Sequence, residues 1–152
     1  MSRWSKWIDI EKNANYKGCG VYKIRLVNSE GFPIGIPRFL DEDKDGILQI
    51  GHSKNIEGRI KHFRGAAIER KRFGHHSEAD RLFLIELFTN FMEKHNTSKI
   101  QYSFKELTKG SEAENEEERL LKCYFKGYGE VPPLNANLPD KHIDWRSLKC
   151  YP

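Results

Sequence analysis

Two strand-like segments bracket a stretch of chain that cannot be helical. Residues 28–46 carry Gly31, Pro33, Gly35, Pro37 and Gly46. Prolines remove backbone donors and glycines break regular elements, so this stretch reads as a long excursion between strands. Before it, residues 20–27 place Tyr22, Ile24 and Leu26 in alternation with other side chains, the period of a strand with one buried face. After it, residues 47–50 form a second short strand ended by Gly51.

The rest of the chain alternates between helical and strand periods. Ser53 can cap a helix whose apolar stripe is Ile56, Ile60 and Phe63, with Arg59 at the edge of that stripe. A second helix is expected from Ser77 to about Glu93, with Leu82, Ile85 and Phe88 or Thr89 facing inward. Residues 100–107 alternate as a third strand. Ser111 and Glu114 have capping-box spacing, so a third helix follows to about Phe125, and the loop beyond Gly127 holds Pro132 and Pro133. The expected fold is one α/β or α+β domain over residues 1–152, with a small three-stranded sheet flanked by helices.

Composition narrows the function classes. The 152 residues carry 26 basic and 22 acidic side chains, a net charge of +4, and no apolar run approaches the roughly 20 residues of a spanning helix. A membrane partner is not expected, and the start lacks the apolar core of a signal peptide, so a cytoplasmic location is expected. Cys19, Cys123 and Cys150 are an odd set without a C-x-x-C pair and read as reduced thiols. The charge is segregated: Arg59, Lys61, Arg64, Arg70, Lys71 and Arg72 oppose only Glu69 within residues 59–72. Such a segment, with His62, His75 and His76 beside it, attracts a phosphate backbone, or it is a solvated helix face. His75 and His76 read as phosphate contacts or a helix entry.

Two acidic groups suggest cations. On a helical wheel of about 100° per residue, Glu117 falls inside the stripe of Ala113, Leu120 and Tyr124, while the other four glutamates of residues 112–118 fall further out. An inward carboxylate raises its pKa or meets an arginine, another cation or a metal. Residues 41–46 imitate the start of a calcium loop, but His52 stands where the bidentate glutamate belongs. This segment reads as an ordinary turn around Asp43 and Gly46.

In order along the chain, Gly20-Val21-Tyr22, Gln49-Ile50-Gly51, Arg59, Glu117 and Asn135 resemble the GIY-YIG nuclease domain, over about residues 19–135. The resemblance implies hydrolysis of a DNA phosphodiester with one divalent metal, Mg2+ or Mn2+. It implies that Glu117 holds the metal, Arg59 receives the phosphate, Tyr22 orients or deprotonates water, and Asn135 holds the closing loop or the phosphate. Lys54, Lys61, Arg64, Arg70, Lys71 and Arg72 are the DNA-binding candidates. Departures from the pattern are Gln49 in place of the second tyrosine, Phe63 in place of a histidine or tyrosine, and the long excursion between the tripeptides. His52 and His62 are the candidate replacements for the missing proton-transfer groups. A second expectation is therefore a catalytically degraded domain that binds nucleic acid. Cutting both strands with one site per chain would need a homodimer or two sequential nicks.

Overall fold

The computed structural model describes residues 3–69, 77–94, 99–139 and 145–150. Ten elements follow in order: β1 (Ile8–Asp9), β2 (Gly20–Val27), β3 (Ile36–Pro37), β4 (Glu42–Asp43), β5 (Ile47–Ser53), α1 (Ile56–Ala67), α2 (Ser77–Thr89), α3 (Phe91–Lys94), β6 (Lys99–Glu106) and α4 (Gly110–Tyr128). β1, β6, β2 and β5 form one antiparallel sheet in that spatial order, and β3 pairs with β4 in a separate ribbon. The fold is α+β. The main sheet has four strands where three are expected, because two-residue β1 is too short to show an alternation.

The sheet is covered on both faces. Tyr22, Ile24, Leu26 and Tyr102 pack with Ile56, Ile60 and Phe63 of α1 and Leu82 of α2. Val21, Ile47 and Ile50 pack with Leu121 and Tyr124 of α4 on the opposite face. The single buried face expected for β2 is thus corrected: its alternate polar residues are also covered, Lys23 lying 4.6 Å from the Trp4 ring and Arg25 4.0 Å from Trp7. The amino-terminal tryptophans shield the stems of these cations while cation–π attraction holds the charges.

Several local expectations shift by a few residues. β5 runs through Gly51 to Ser53 instead of stopping at the glycine. Asn55, not Ser53, caps α1: its side chain accepts from the Gly58 N–H, while the Ser53 hydroxyl closes a turn with Asn55. α2 stops at Thr89, before Asn90 at a left-handed φ of 47°, and Phe88 points outward at 79% exposure. Ser111 and Glu114 do not cap α4; the Glu112 carboxylate accepts from both the backbone N–H and the hydroxyl of Thr108. That helix continues past Phe125 to Tyr128 and ends at Gly129, whose φ of 72° needs no side chain to be accommodated.

The excursion 28–46 contains the β3–β4 ribbon, and its acidic cluster folds as a turn. Asp43 is buried and accepts from the Asp45 and Ile47 N–H groups and from the Tyr124 hydroxyl. Its lone pairs are thereby committed to holding the turn against α4. The reduced-thiol reading is overturned for two cysteines: Cys123 of α4 is disulfide-bonded to Cys150, and Cys19 alone is a thiol. The tail follows the bond, with the Lys149 carbonyl accepting from Arg119 and Trp145 stacked at a tilt on Phe125.

Candidate active site at the outer edge of β5

β5 is an edge strand, and a bulge opposite Ile24 and Arg25 turns two successive side chains, Leu48 and Gln49, toward the α1 face. Gln49 thereby meets Tyr22, its Nε2 donating to the hydroxyl at 3.2 Å. Tyr22 sits directly across from Gly51. The absence of a side chain there leaves room for the phenol to reach the strand edge, since a Cβ on Gly51 would come 2.5 Å from its oxygen. Tyr22 is 2% exposed, and burial pushes its pKa up, with the Arg59 charge opposing the shift and the Glu78 and Glu117 carboxylates adding to it. Gln49 Oε1 is buried without a hydrogen-bond partner among the described residues.

Glu117 projects from α4 toward the end of the same strand. Its Oε2 pairs with His52 Nδ1, and its Oε1 makes no hydrogen bond among the described residues. Burial raises the Glu117 pKa; His52 works against that shift, and Glu118 and Glu78 reinforce it. The expectation that only Glu117 faces inward is corrected, because Glu116 is at least as covered. The difference is in the partners. Glu116 is bound by Arg119 at 2.8 Å and Lys105 at 3.1 Å, and these bonds hold its pKa below the usual carboxylate range. Among the described residues Glu117 has only an imidazole.

Arg59 rises from the second turn of α1, half-buried, with no hydrogen bond or ion pair from its guanidinium among the described residues. Neither Glu57 nor Glu117 takes it as a salt-bridge partner; Glu57 instead holds Lys61 at 2.9 Å. Phe63, one turn further, is fully buried in the core. His62 lies on the exposed side of α1.

Asn135 uses its whole amide on the strand. Its Oδ1 accepts from the Ile50 N–H at 3.0 Å and its Nδ2 donates to the Ile50 carbonyl at 2.8 Å. Of the two roles implied for it, holding the loop is the one this geometry performs. Leu134 extends the pairing by donating to the Leu48 carbonyl, and Arg81 of α2 clasps the loop by donating to the Leu134 carbonyl at 3.3 Å.

The DNA-binding candidates separate. Lys54 is exposed, with its aliphatic stem beside Gly110 at the start of α4. Lys61 is engaged by Glu57. Arg64 donates to the Glu11 carbonyl at 2.9 Å and to Asn13, which ties α1 to the amino-terminal segment. Arg70, Lys71, Arg72, His75 and His76 lie outside the described residues.

Two residues were not signalled by sequence reasoning. Glu78 reads as an ordinary first-turn acid of α2, yet its charge acts on both Tyr22 and Glu117. Arg81 follows it by about one turn and could not be linked to the loop without the fold. Among the described residues, no three His, Cys, Asp or Glu side chains cluster as a metal shell. A phenol, an unpaired guanidinium, an imidazole and a desolvated carboxylate thus gather around one strand edge, a set that can bind an oxyanion and orient a water. No family model matches the chain, nor does any curated protein or solved structure.

Proposed function

We propose that this protein is a metal-dependent DNA endonuclease of the GIY-YIG type. The observation that carries the reading is Arg59, a half-buried residue whose guanidinium has no acid partner among the described residues and whose charge acts on Tyr22, as does that of the desolvated Glu117. A half-covered cation without an acid partner can take up an anion, and a guanidinium offers a phosphate two parallel donors. As charge grows on the phosphorane oxygens, Arg59 gains more in the transition state than in the ground state.

The residues fit a divalent ion of the magnesium kind, which keeps several waters and uses one or two carboxylates plus phosphate oxygens. Glu117 Oε1, without a hydrogen bond among the described residues, is a hard donor for it. When bound, such an ion polarises a phosphoryl oxygen and stabilises the leaving alkoxide. Tyr22, buried and with its pKa raised, remains protonated at neutral pH and acts as a hydrogen-bonding group, not as a base. His52 takes the proton: Glu117 holds its Nδ1 and leaves Nε2 as the second ring nitrogen on a side chain that is 37% exposed. Gln49 positions the phenol, and Asn135 keeps the closing loop on β5.

The test is nicking of supercoiled plasmid and branched DNA with Mg2+ or Mn2+, with and without chelator. Loss of about 10²-fold in Arg59→Ala and Glu117→Ala is expected if each stabilises transition-state charge. DNA left intact under conditions where the protein binds it would overturn the proposal.

The burial of Tyr22 and its bond to Gln49 favour a second reading, a degraded domain that retains salt-dependent DNA binding. Activity appearing only in Gln49→Tyr would select it.

A further inference from the structure

The residues of β5 meet the site in a fixed order. Ile50 is held by Asn135, Gly51 lies under the Tyr22 phenol, His52 pairs with Glu117, and Lys54 follows directly after the strand ends at Ser53. A cation stands at each end of this run. Lys54 is exposed and makes no hydrogen bond or ion pair among the described residues. At the Ile50 end is Arg81, on the outside of the closing loop.

Arg81 is exposed, yet one of its nitrogens is fixed. Nη1 donates into a ring of three main-chain oxygens, those of Pro133 at 3.5 Å, Leu134 at 3.3 Å and Asn135 at 3.5 Å. Its Nε and Nη2 make no hydrogen bond, and no carboxylate forms a salt bridge with it, among the described residues. A guanidinium already pinned by backbone loses less freedom when its remaining donors meet a partner. α2 packs on the face of the sheet that holds Tyr22 and α1, so Arg81 rises from the helix next to that of Arg59.

We propose that the DNA strand to be cut runs along the outer edge of β5, with Arg81 holding the phosphate on one side of the scissile bond and Lys54 the phosphate on the other. At about 3.4 Å per residue, Ile50 and Lys54 lie roughly 14 Å apart, which leaves room for a flanking phosphate on each side of the reacting one. Arg81 offers its two unengaged nitrogens as a fork, and Lys54 offers a point charge. Both are positioning residues: phosphate contacts of this kind set the register of the strand and carry no sequence information. The inference rests on the nuclease reading and narrows its substrate to an internal phosphodiester, bonded to further phosphates in both directions.

The test is binding of a labelled DNA duplex by anisotropy across a salt series, with chelator present so that nothing is cut. Arg81→Gln keeps an N–H for the loop carbonyls and removes the charge; it is expected to weaken binding and to reduce the slope of log K against log salt by about 1, and Lys54→Gln likewise. Arg81→Lys is expected to keep the slope, as is Asn135→Ala, which loosens the loop without removing a cation. A second measurement uses wild-type protein, so the result does not depend on a variant folding. In branched DNA with Mg2+, a neutral methylphosphonate one step to either side of the mapped cut is expected to slow cleavage by about tenfold or more. An unchanged slope in Arg81→Gln, or equal cleavage of the methylphosphonate strands, overturns this inference while wild-type cleavage leaves the nuclease reading standing; a wild-type protein that neither binds nor cuts DNA overturns both.

Discussion

The Tyr22 ring lies over the Cα of Gly51, so close that a Cβ at position 51 would stand 2.5 Å from the hydroxyl oxygen and 2.6 Å from Cζ. Both atoms belong to a phenol that is buried and bonded to Gln49, so it has little room to yield. Gly51→Ala is expected to destabilise the fold by about 1–3 kcal/mol, the usual cost of overpacking. Urea denaturation checks this, and an unchanged midpoint would show that the ring moves without cost.

Asn135 makes two hydrogen bonds to one residue of β5, and both are lost in Asn135→Ala. The expected cost is about 1–3 kcal/mol, since two backbone groups of a partly buried edge lose their partners. Asn135→Asp can still accept from the Ile50 N–H, but its second oxygen faces a carbonyl. It should therefore fail to restore stability at neutral pH and recover in part when the carboxyl is protonated. Thermal melts of both variants across the acid range make the comparison.

Alkaline pH should unfold the protein through its tyrosines. Burial raises the pKa of Tyr22, Tyr102 and Tyr124, that of Tyr102 to about 12. The folded state therefore holds protons that the unfolded chain releases near the ordinary value of 10.0. Stability from this source is complete below that value and falls as pH rises through the folded pKa, by up to about 1.4 kcal/mol per unit for each fully buried phenol. Tyrosinate absorbance should rise together with the loss of circular dichroism, and titration of all six tyrosines in the folded state would contradict this.

Reduction should loosen the tail without unravelling the sheet. The Cys123–Cys150 bond spans 27 residues of sequence. Closing a loop of that order restricts the unfolded chain by about 3–4 kcal/mol in the chain-entropy account. Cys150→Ser, or thiol treatment, should lower the melting temperature while the amide signals of β2 and β5 persist. A melting temperature unchanged by reductant would mean that the bond contributes nothing to the fold.

Legibility of the chain depended on the range of the interaction. The Ile56, Ile60 and Phe63 stripe and the inward position of Glu117 follow from periodicity alone, and both are found. What periodicity could not give is pairing across elements: His52 with Glu117, Arg64 with Glu11, Cys123 with Cys150. The bulge in β5 is a second blind spot, because it sets Leu48 and Gln49 on one face and breaks the alternation that would place Gln49. Cap choice between Ser53 and Asn55 turned on where β5 ends, which its glycine misreports.

The closing loop also acts as a guard rail for β5. Leu134 takes the Leu48 carbonyl, and Asn135 takes both main-chain groups of Ile50. An incoming chain seeking to add itself as another strand finds those docking points filled, which protects the protein against fibrillar self-assembly along this strand. Peeling the loop away would uncover a ready template, so a pulling or proteolytic event near Pro133 would do more to promote aggregation than its distance from the core suggests.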